Sequence, residues 1–316
     1  VTESPMLGVG GSLPAPARLA VGLISAGRVG TALAQALESA GHVVGAVVAR
    51  SESSRARAAD RLPDSEVFDN LDDVAGRAEL LILAVPDDTL ADVVADLAAG
   101  GRVRPGTMVL HVAGAHGTAI LAPLTAQGAL GLAIHPAMTF VGRAEDTERM
   151  RSAYFAVTAD DEIGQTVGAS LVYEIGGQPI QIDEADRTLY HAALAHGANH
   201  LVALVNDAVA VLRSVIERAG ADAGQPPLRS AQEMLAPLVT AALGNVLDLG
   251  PAALTGPVAR GDADAVAAHL RALRDWGTTA PAADATIAEA YLAQARRAAA
   301  HAAPSTALAR LLREAS

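Results

Sequence analysis

The chain contains no cysteine. Disulfides, thiolate zinc sites and cysteine nucleophiles are therefore excluded. It contains no lysine either: the 23 residues counted as Lys plus Arg are all arginines. A lysine acting as acid, base or Schiff-base former is ruled out with it. Aromatic residues make up 3% of a chain that is 51% hydrophobic, so the core has to be built from Ala, Val, Leu and Ile. The formal net charge is −12, and the basic residues do not run together. Nucleic acid and anionic membrane surfaces are not expected as primary partners. No apolar run is expected to reach membrane-spanning length. Residues 1–17 are rich in Gly, Pro and Ser and carry no basic segment, which reads as a disordered tail rather than a signal peptide. The cytoplasm is the expected compartment. At 316 residues the chain is long enough for two domains.

The most informative stretch present is Ser25-Ala26-Gly27-Arg28-Val29-Gly30. An apolar, strand-like run (19–24) precedes it, and a helix-like run follows through residue 40, with Gly41 as the stop. Strand, tight glycine turn and helix N-terminus in this order bind a dinucleotide pyrophosphate, because free N–H groups and the helix dipole converge there. Ser25 stands where the first glycine is usual. It is either a benign variant of the turn or a hydroxyl that contacts the pyrophosphate.

A second apolar run (43–48) reads as a buried parallel strand. Beyond such a strand, about 20 residues after the turn, an NAD-binding protein places an acid on the ribose. Here the chain has Arg50 and Ser51, then Ser53 and Arg55. Arginine and serine donate hydrogen bonds to a 2′-phosphate that an acid would repel. The pattern points to NADP(H), with a solvated arginine-bearing loop as the plain alternative.

Further strands are expected at 66–68, 80–85, 108–112, 130–134, 154–158 and 179–182, with helices at about 87–97 and 166–173. The alternation argues for an α/β, doubly wound, mostly parallel sheet. After residue 183 the pattern is helical: 184–218 as one helix or two joined, a Gly- and Pro-containing loop at 221–227, then 230–249, 263–276 and 286–303. The expected division is a tail (1–17), a dinucleotide-binding domain (18–183) and an all-helical domain (184–316).

Ligands in such sheets bind beyond the carboxyl ends of the strands. Three clusters fall there. Pro86-Asp87-Asp88 reads first as a helix cap. His111-Val112-Ala113-Gly114-Ala115-His116-Gly117 allows close backbone approach, with His111 either a buried strand residue or a functional one. His135-Pro136 with Thr139-Phe140 puts a histidine at the tip of a buried strand. On the first long helix, Arg187 and His191 share a face, and Asn199 lies about 80° around from His191 at 3.6 residues per turn. His196 and His200 have a metal-compatible spacing, but two imidazoles without further ligands read as structure or surface. No metal site is expected. Leu254-Thr255-Gly256-Pro257 followed by Arg260-Gly261-Asp262 reads as a ligand-facing loop, or as an interhelical loop in which Asp262 caps the next helix.

These pieces, with Val85-Pro86 and Tyr190-His191-Ala192-Ala193, resemble a bacterial family in which a Rossmann-like domain precedes a helical domain of unknown function. The resemblance spans about 19–273. That family is similar to a distant branch of the superfamily of pyrroline-5-carboxylate reductase, β-hydroxyacid dehydrogenases and ketopantoate reductase. It implies NADPH-dependent reduction of a small 2-oxo acid, with 2-dehydropantoate to pantoate as an instance, and a homodimer built through the helical domains. Val85, Pro86 and Gly114 fall on the cofactor side. Many β-hydroxyacid dehydrogenases have a helix lysine four residues before an asparagine; for Asn199 that position is Ala195. Relatives often carry serine beside the glycine matched by Gly114, where this chain has Ala113. The proton donor then falls to His191 or, second, His135. Asn199 would polarise the carbonyl, Arg260 would pair with the carboxylate of a small anionic metabolite, and Asp262 would hold Arg260. Cyclic imine reduction and a non-catalytic NADP-binding role are the rival readings, and a deazaflavin is the alternative cofactor.

Overall fold

A computed structural model of the chain describes residues 18–219, 226–282, 284–302 and 304–315. The expected tail lies outside them, as does most of the expected loop at 221–227. The chain divides into two compact units at Gly197/Ala198.

The first unit alternates strand and helix: β1 (Ala20–Ile24), α1 (Arg28–Ala40), β2 (Val43–Val48), α2 (Glu52–Arg61), β3 (Glu66–Phe68), α3 (Leu71–Ala75), β4 (Leu80–Leu83), α4 (Asp87–Gly100) and β5 (Met108–His111). A 3-10 turn (Thr118–Leu121) leads into α5 (Ala122–Thr125), then β6 (Leu130–Pro136), α6 (Glu145–Met150), β7 (Tyr154–Ala159), α7 (Glu162–Glu174) and β8 (Gln178–Gln181). The eight strands form one sheet in the order β3-β2-β1-β4-β5-β6-β7-β8. All pairings are parallel except β6 with β7. The sheet is the doubly wound, parallel-dominated one that the alternation predicts. Its order reverses between β1 and β4, which makes a crevice at their carboxyl ends.

The strands are apolar on both faces, and their two-residue period deals side chains to two cores. Leu23, Ile82, Leu110 and Leu132 pack with Leu33 and Leu37 of α1 and Val172 of α7. Ile24, Leu81, Leu83 and Val109 pack with Val74 of α3 and Leu90, Val94 and Leu97 of α4. Helices on both faces thus bury the sheet. Gly41 ends α1 in the left-handed conformation at φ 99°. The expected cap of α4 is different. Its N-cap is Pro86, without a side-chain cap, and Asp87 and Asp88 occupy the first turn, where their charges meet the helix dipole.

A 3-10 turn (Glu184–Asp186) opens α8 (Arg187–Arg218), a single 32-residue helix. The expected boundary at 183/184 therefore differs from the division at 197/198. The first turns of α8 belong to the sheet unit, because fully buried Arg187 hydrogen-bonds there to backbone carbonyls of residues 113, 116 and 156. The second unit continues with α9 (Pro227–Leu249), a short 3-10 turn (Gly250–Ala253), α10 (Ala263–Gly277), α11 (Ile287–Ala300) and α12 (Thr306–Glu314). Its core is small: Val266 and Leu270 meet Leu292, Ala295, Leu308 and Leu312.

α8 and α9 fall outside that core. They are long and apolar enough, by length and composition alone, to cross a membrane, and almost none of their most apolar windows is buried. The expectation of no membrane-length segment is corrected here. Scattered polar residues interrupt the apolar runs without lowering the mean hydropathy below that of a spanning helix.

Candidate functional site

Two sites at the carboxyl ends of the strands carry the sequence-flagged residues of the first unit. The first lies at the reversal of strand order. A pocket of about 420 Å³ is lined by Ser25, Gly27, Arg28, Arg50, Ser51, Ser53, Ser54 and Arg57, with Ile24, Val48, Leu71, Val85 and Val93 as its apolar walls. It contains three arginines, four serines and no acid.

The turn is built for close approach. Gly27 is the N-cap of α1, with no side-chain cap above the helix N-terminus. Its backbone is extended (φ −71°), and a Cβ there would stand 3.7 Å from its nearest neighbour, the Ala84 carbonyl. The fold itself therefore tolerates a side chain at Gly27; a glycine there leaves room for an incoming group. Gly30 is different. A Cβ would approach the Ala84 methyl to 2.6 Å and the Ser25 carbonyl to 2.7 Å. Ser25 takes the left-handed conformation at φ 78°, alone among the described non-glycine residues. It thus holds a backbone state that glycine enters without strain, and its N–H donates to the Val48 carbonyl (3.0 Å).

Arg28, Val29 and Gly30 are the first turn of α1, not part of the loop before it. Ser51 caps α2 by accepting the Ser54 N–H (3.1 Å). Arg57, unremarked in the sequence, donates to the Ala26 carbonyl (2.8 Å) and so braces the turn. Its signal was the helical spacing from Arg50 and Ser53 once α2 is recognised. Arg55 points elsewhere: it pairs with Asp69 at 2.7 Å and does not line the pocket. Pro86 does not line it either, whereas Val85 does.

The second site gathers His111, Gly114, His135, Arg187, Tyr190 and His191. His111 is fully buried; its Nδ1 accepts the Ala113 N–H (3.2 Å) and its Nε2–H donates to the Gly117 carbonyl (2.8 Å). Burial above all, with the nearby Arg187 charge, pushes it down to about 4. His111 is thus a structural staple of the glycine-bearing turn, which decides between its two readings. Gly114 meets His191 directly: a Cβ there would stand 2.5 Å from His191 Cδ2. His135, half-buried at the end of β6, has Nδ1 2.9 Å from the Tyr190 hydroxyl, and its ring stands edge-on to those of Tyr190 and His191. Burial, then the charges of Arg187 and His191, lowers it to about 3. His135 is therefore neutral near pH 7. Burial raises the Tyr190 phenol, and Arg187 opposes that rise. Sequence reasoning placed Tyr190 in a motif but gave it no chemical role.

The remaining candidates lie in the second unit. Asn199 is an exposed residue of α8. Asp262 is the N-cap of α10, its carboxylate accepting the Ala265 N–H at 3.0 Å. No ion pair links it to exposed Arg260 among the described residues. The loop before α10 is held by Gly256 and Gly261 in left-handed conformations and by the Ser305 hydroxyl on the Gly261 carbonyl (2.7 Å). Among the described residues no group of three or more His, Asp or Glu side chains could hold a metal.

Comparison with known proteins places this architecture. Similar solved structures include a candidate NADP oxidoreductase from Bacteroides fragilis (21% identity, 90% of this chain and 98% of that one, TM-score 0.69). An imine reductase from Myxococcus stipitatus in complex with NADP+ matches at 17% identity over 93% and 99%, with a TM-score of 0.60. A pyrroline-5-carboxylate reductase from Coxiella burnetii matches at 15% over 90% and 99%, with a TM-score of 0.52. At these identities the likeness is one of fold. No curated protein sequence matches significantly. Residues 10–136 match the Rossmann-like domain model, and residues 153–298 match a domain of unknown function, DUF2520. The two models together span most of the chain, a Rossmann-like match followed by a DUF2520 match.

Proposed function

We propose that the protein is an NADP(H)-dependent oxidoreductase that reduces a C=O or C=N group of a small metabolite. The observation that carries this reading is the acid-free pocket at the strand-order reversal, with Arg50, Arg57, Ser51 and Ser53 beside an uncapped helix N-terminus. Gly27 and the N-terminus of α1 suit a pyrophosphate, and the arginines and serines suit a 2′-phosphate. The cofactor supplies the hydride. The chain supplies the proton and the substrate's orientation. His191, packed on Gly114, and the Tyr190–His135 pair are the groups that can manage the proton. Asn199 is proposed to orient the reacting atom and Arg260 to pair with an anionic substrate.

Two substrate classes compete. The resemblance to ketopantoate reductases supports a 2-oxo acid such as 2-dehydropantoate. The names of the imine reductase and pyrroline-5-carboxylate reductase neighbours support a cyclic imine, and an iminium needs less help from an acid, consistent with the absence of lysine. Titration calorimetry should give NADPH a Kd at least about tenfold below that of NADH, in line with charge-assisted recognition of the extra phosphate. Equal affinities, or no binding of either, would overturn the cofactor reading. NADPH oxidation measured with 2-oxo acids and with 1-pyrroline carboxylates then separates the two classes. Tight binding without turnover on any of them would favour the non-catalytic role.

We also propose that the chain acts as a homodimer through its helical half. α9 buries Ala231 alone of its described residues, while Leu238 is 66% and Leu247 77% exposed. A groove of about 460 Å³ lined by Leu204, Val211, Leu212, Val215, Leu235 and Leu273 offers a second copy an apolar seat. Light scattering of the purified chain tests this: a monomer at micromolar concentration would refute it.

A further inference from the structure

Arg187 has no part in the reading above. It is fully buried. Its guanidinium donates to three carbonyls: Nε to His116 (2.8 Å), Nη2 to Ala113 (2.7 Å) and Nη1 to Ala156 (3.3 Å). It forms no ion pair among the described residues. A buried cation without a contacting counter-charge is expensive, because its desolvation is offset only by backbone dipoles and more distant acids. Each of its three nitrogens donates to a backbone carbonyl and the side chain is closed off from solvent, so it is not placed to bind substrate. What it has is position. Its guanidinium carbon lies 5.8 Å from the centre of the Tyr190 ring, and its charge acts on His111 and His135.

The charged and titratable groups around this cluster come from every neighbouring element. β5 presents His111, the turn after it His116, β6 His135, and α8 Tyr190 and His191; Asp87 of α4 and Glu184 act on Arg187 from farther away. The hydrogen bond between His135 Nδ1 and the Tyr190 hydroxyl can run two ways. Either the phenol donates to Nδ1 of a neutral ring protonated on Nε2, or an Nδ1–H, of the other neutral tautomer or of an imidazolium, donates to the phenol oxygen. The Arg187 charge disfavours the imidazolium and, lying against the Tyr190 ring, makes the phenol the stronger donor.

We infer that Arg187 is a positioning residue that sets the direction of this hydrogen bond, with Tyr190 donating and His135 held as a neutral acceptor. The ring then carries its own proton on Nε2, which makes no hydrogen bond among the described residues. His135 becomes a neutral N–H donor for a ligand atom, with the phenol proton in reserve behind it. A proton passed from Nε2 to a product atom is replaced at Nδ1 by the Tyr190 hydroxyl proton. The phenolate so formed faces Arg187, and the pair resets when Nε2 takes a proton from water and Nδ1 returns its proton to the phenolate. This inference deepens the reductase reading and rests on it only for its catalytic consequence.

Histidine-selective 15N NMR of the full chain without cofactor reads the tautomer and titration of His135 directly. The wild type should show the Nε2–H tautomer, with protonation setting in only well below pH 6. In Arg187→Met the midpoint should rise by roughly one pH unit, while Arg187→Lys, which keeps the charge, should stay within a few tenths of a unit of wild type. A folded Arg187→Met protein with an unshifted His135 would overturn the inference. Should that variant fail to fold, an Nδ1–H tautomer or an imidazolium at pH 6 in the wild type would overturn it equally. None of these readouts involves NADPH, so the reductase reading fails separately, by absence of cofactor binding.

Discussion

Ser25 holds a backbone conformation that L-residues enter at a cost of about 1–2 kcal/mol. Ser25→Gly is expected to raise stability by ~0.5–1 kcal/mol in urea unfolding, because the left-handed turn no longer opposes a Cβ. If the hydroxyl also contacts the pyrophosphate, the same variant binds NADPH more weakly; unchanged binding marks Ser25 as a benign variant of glycine. The two following glycines should respond in opposite ways. Gly30→Ala forces a methyl against Ala84 and the Ser25 carbonyl and should lose ~1–3 kcal/mol of stability. Gly27→Ala should leave the melting temperature within a degree or two while weakening NADPH at least about tenfold. A Gly27→Ala protein that binds normally would remove the pyrophosphate from this turn. The place of Gly27 at the turn before α1 was legible in the sequence because the motif fixes it there. That of Arg187 was not: helical spacing put it on the face of His191, but only tertiary packing shows its full burial and its three carbonyl partners.

The elements repeat this lesson. The strands of the first unit could be read because short, doubly buried runs of Val, Leu and Ile stand out between glycines. Their direction could not, since a two-residue period looks alike in parallel and antiparallel pairs, and β7 against β6 is the antiparallel one. α12 escaped notice because it is short and follows a proline-containing break, yet its Leu308 and Leu312 complete the small helical core. The Thr-Gly-Pro loop is a different case, in which a dense cluster of special residues suggests a ligand while one of them has a local task. Its Asp262 is committed to capping α10. Asp262→Ala should therefore lose about 1 kcal/mol of stability and leave kcat unchanged. A large fall in kcat without loss of stability would restore Asp262 to the chemistry. α9 is the element least explained by its own chain. Leu238→Arg should turn the dimer into a monomer by light scattering if this helix meets a second copy, and should change nothing if it does not.

For the whole molecule, two histidines held neutral by burial tie stability to acidity. His111 is lowered to about 4 and His135 to about 3. Both values lie below that of the unfolded chain, about 6.5, so the unfolded state binds protons that the folded state refuses. Their contribution is complete above pH 6.5 and is lost as pH falls toward the folded values. Each group should contribute ~1.4 kcal/mol per pH unit within that window. Urea unfolding at pH 7.5 and pH 5 should show the loss, and a His135→Asn variant should show a shallower slope. A stability independent of pH between 5 and 7 would contradict the burial of both rings. The path of α8 has a last consequence, for dissection of the chain. The joint suggested by composition, at 183, lies ahead of the arginine that pins the turn after β5 to β7. A fragment cut there is expected to lose that clamp and to expose the floor of the second site. One that ends at 197 retains Arg187, Tyr190 and His191 and should melt cooperatively. The Rossmann-like half cannot be separated at its apparent seam, because the helix that leaves it is also part of its foundation.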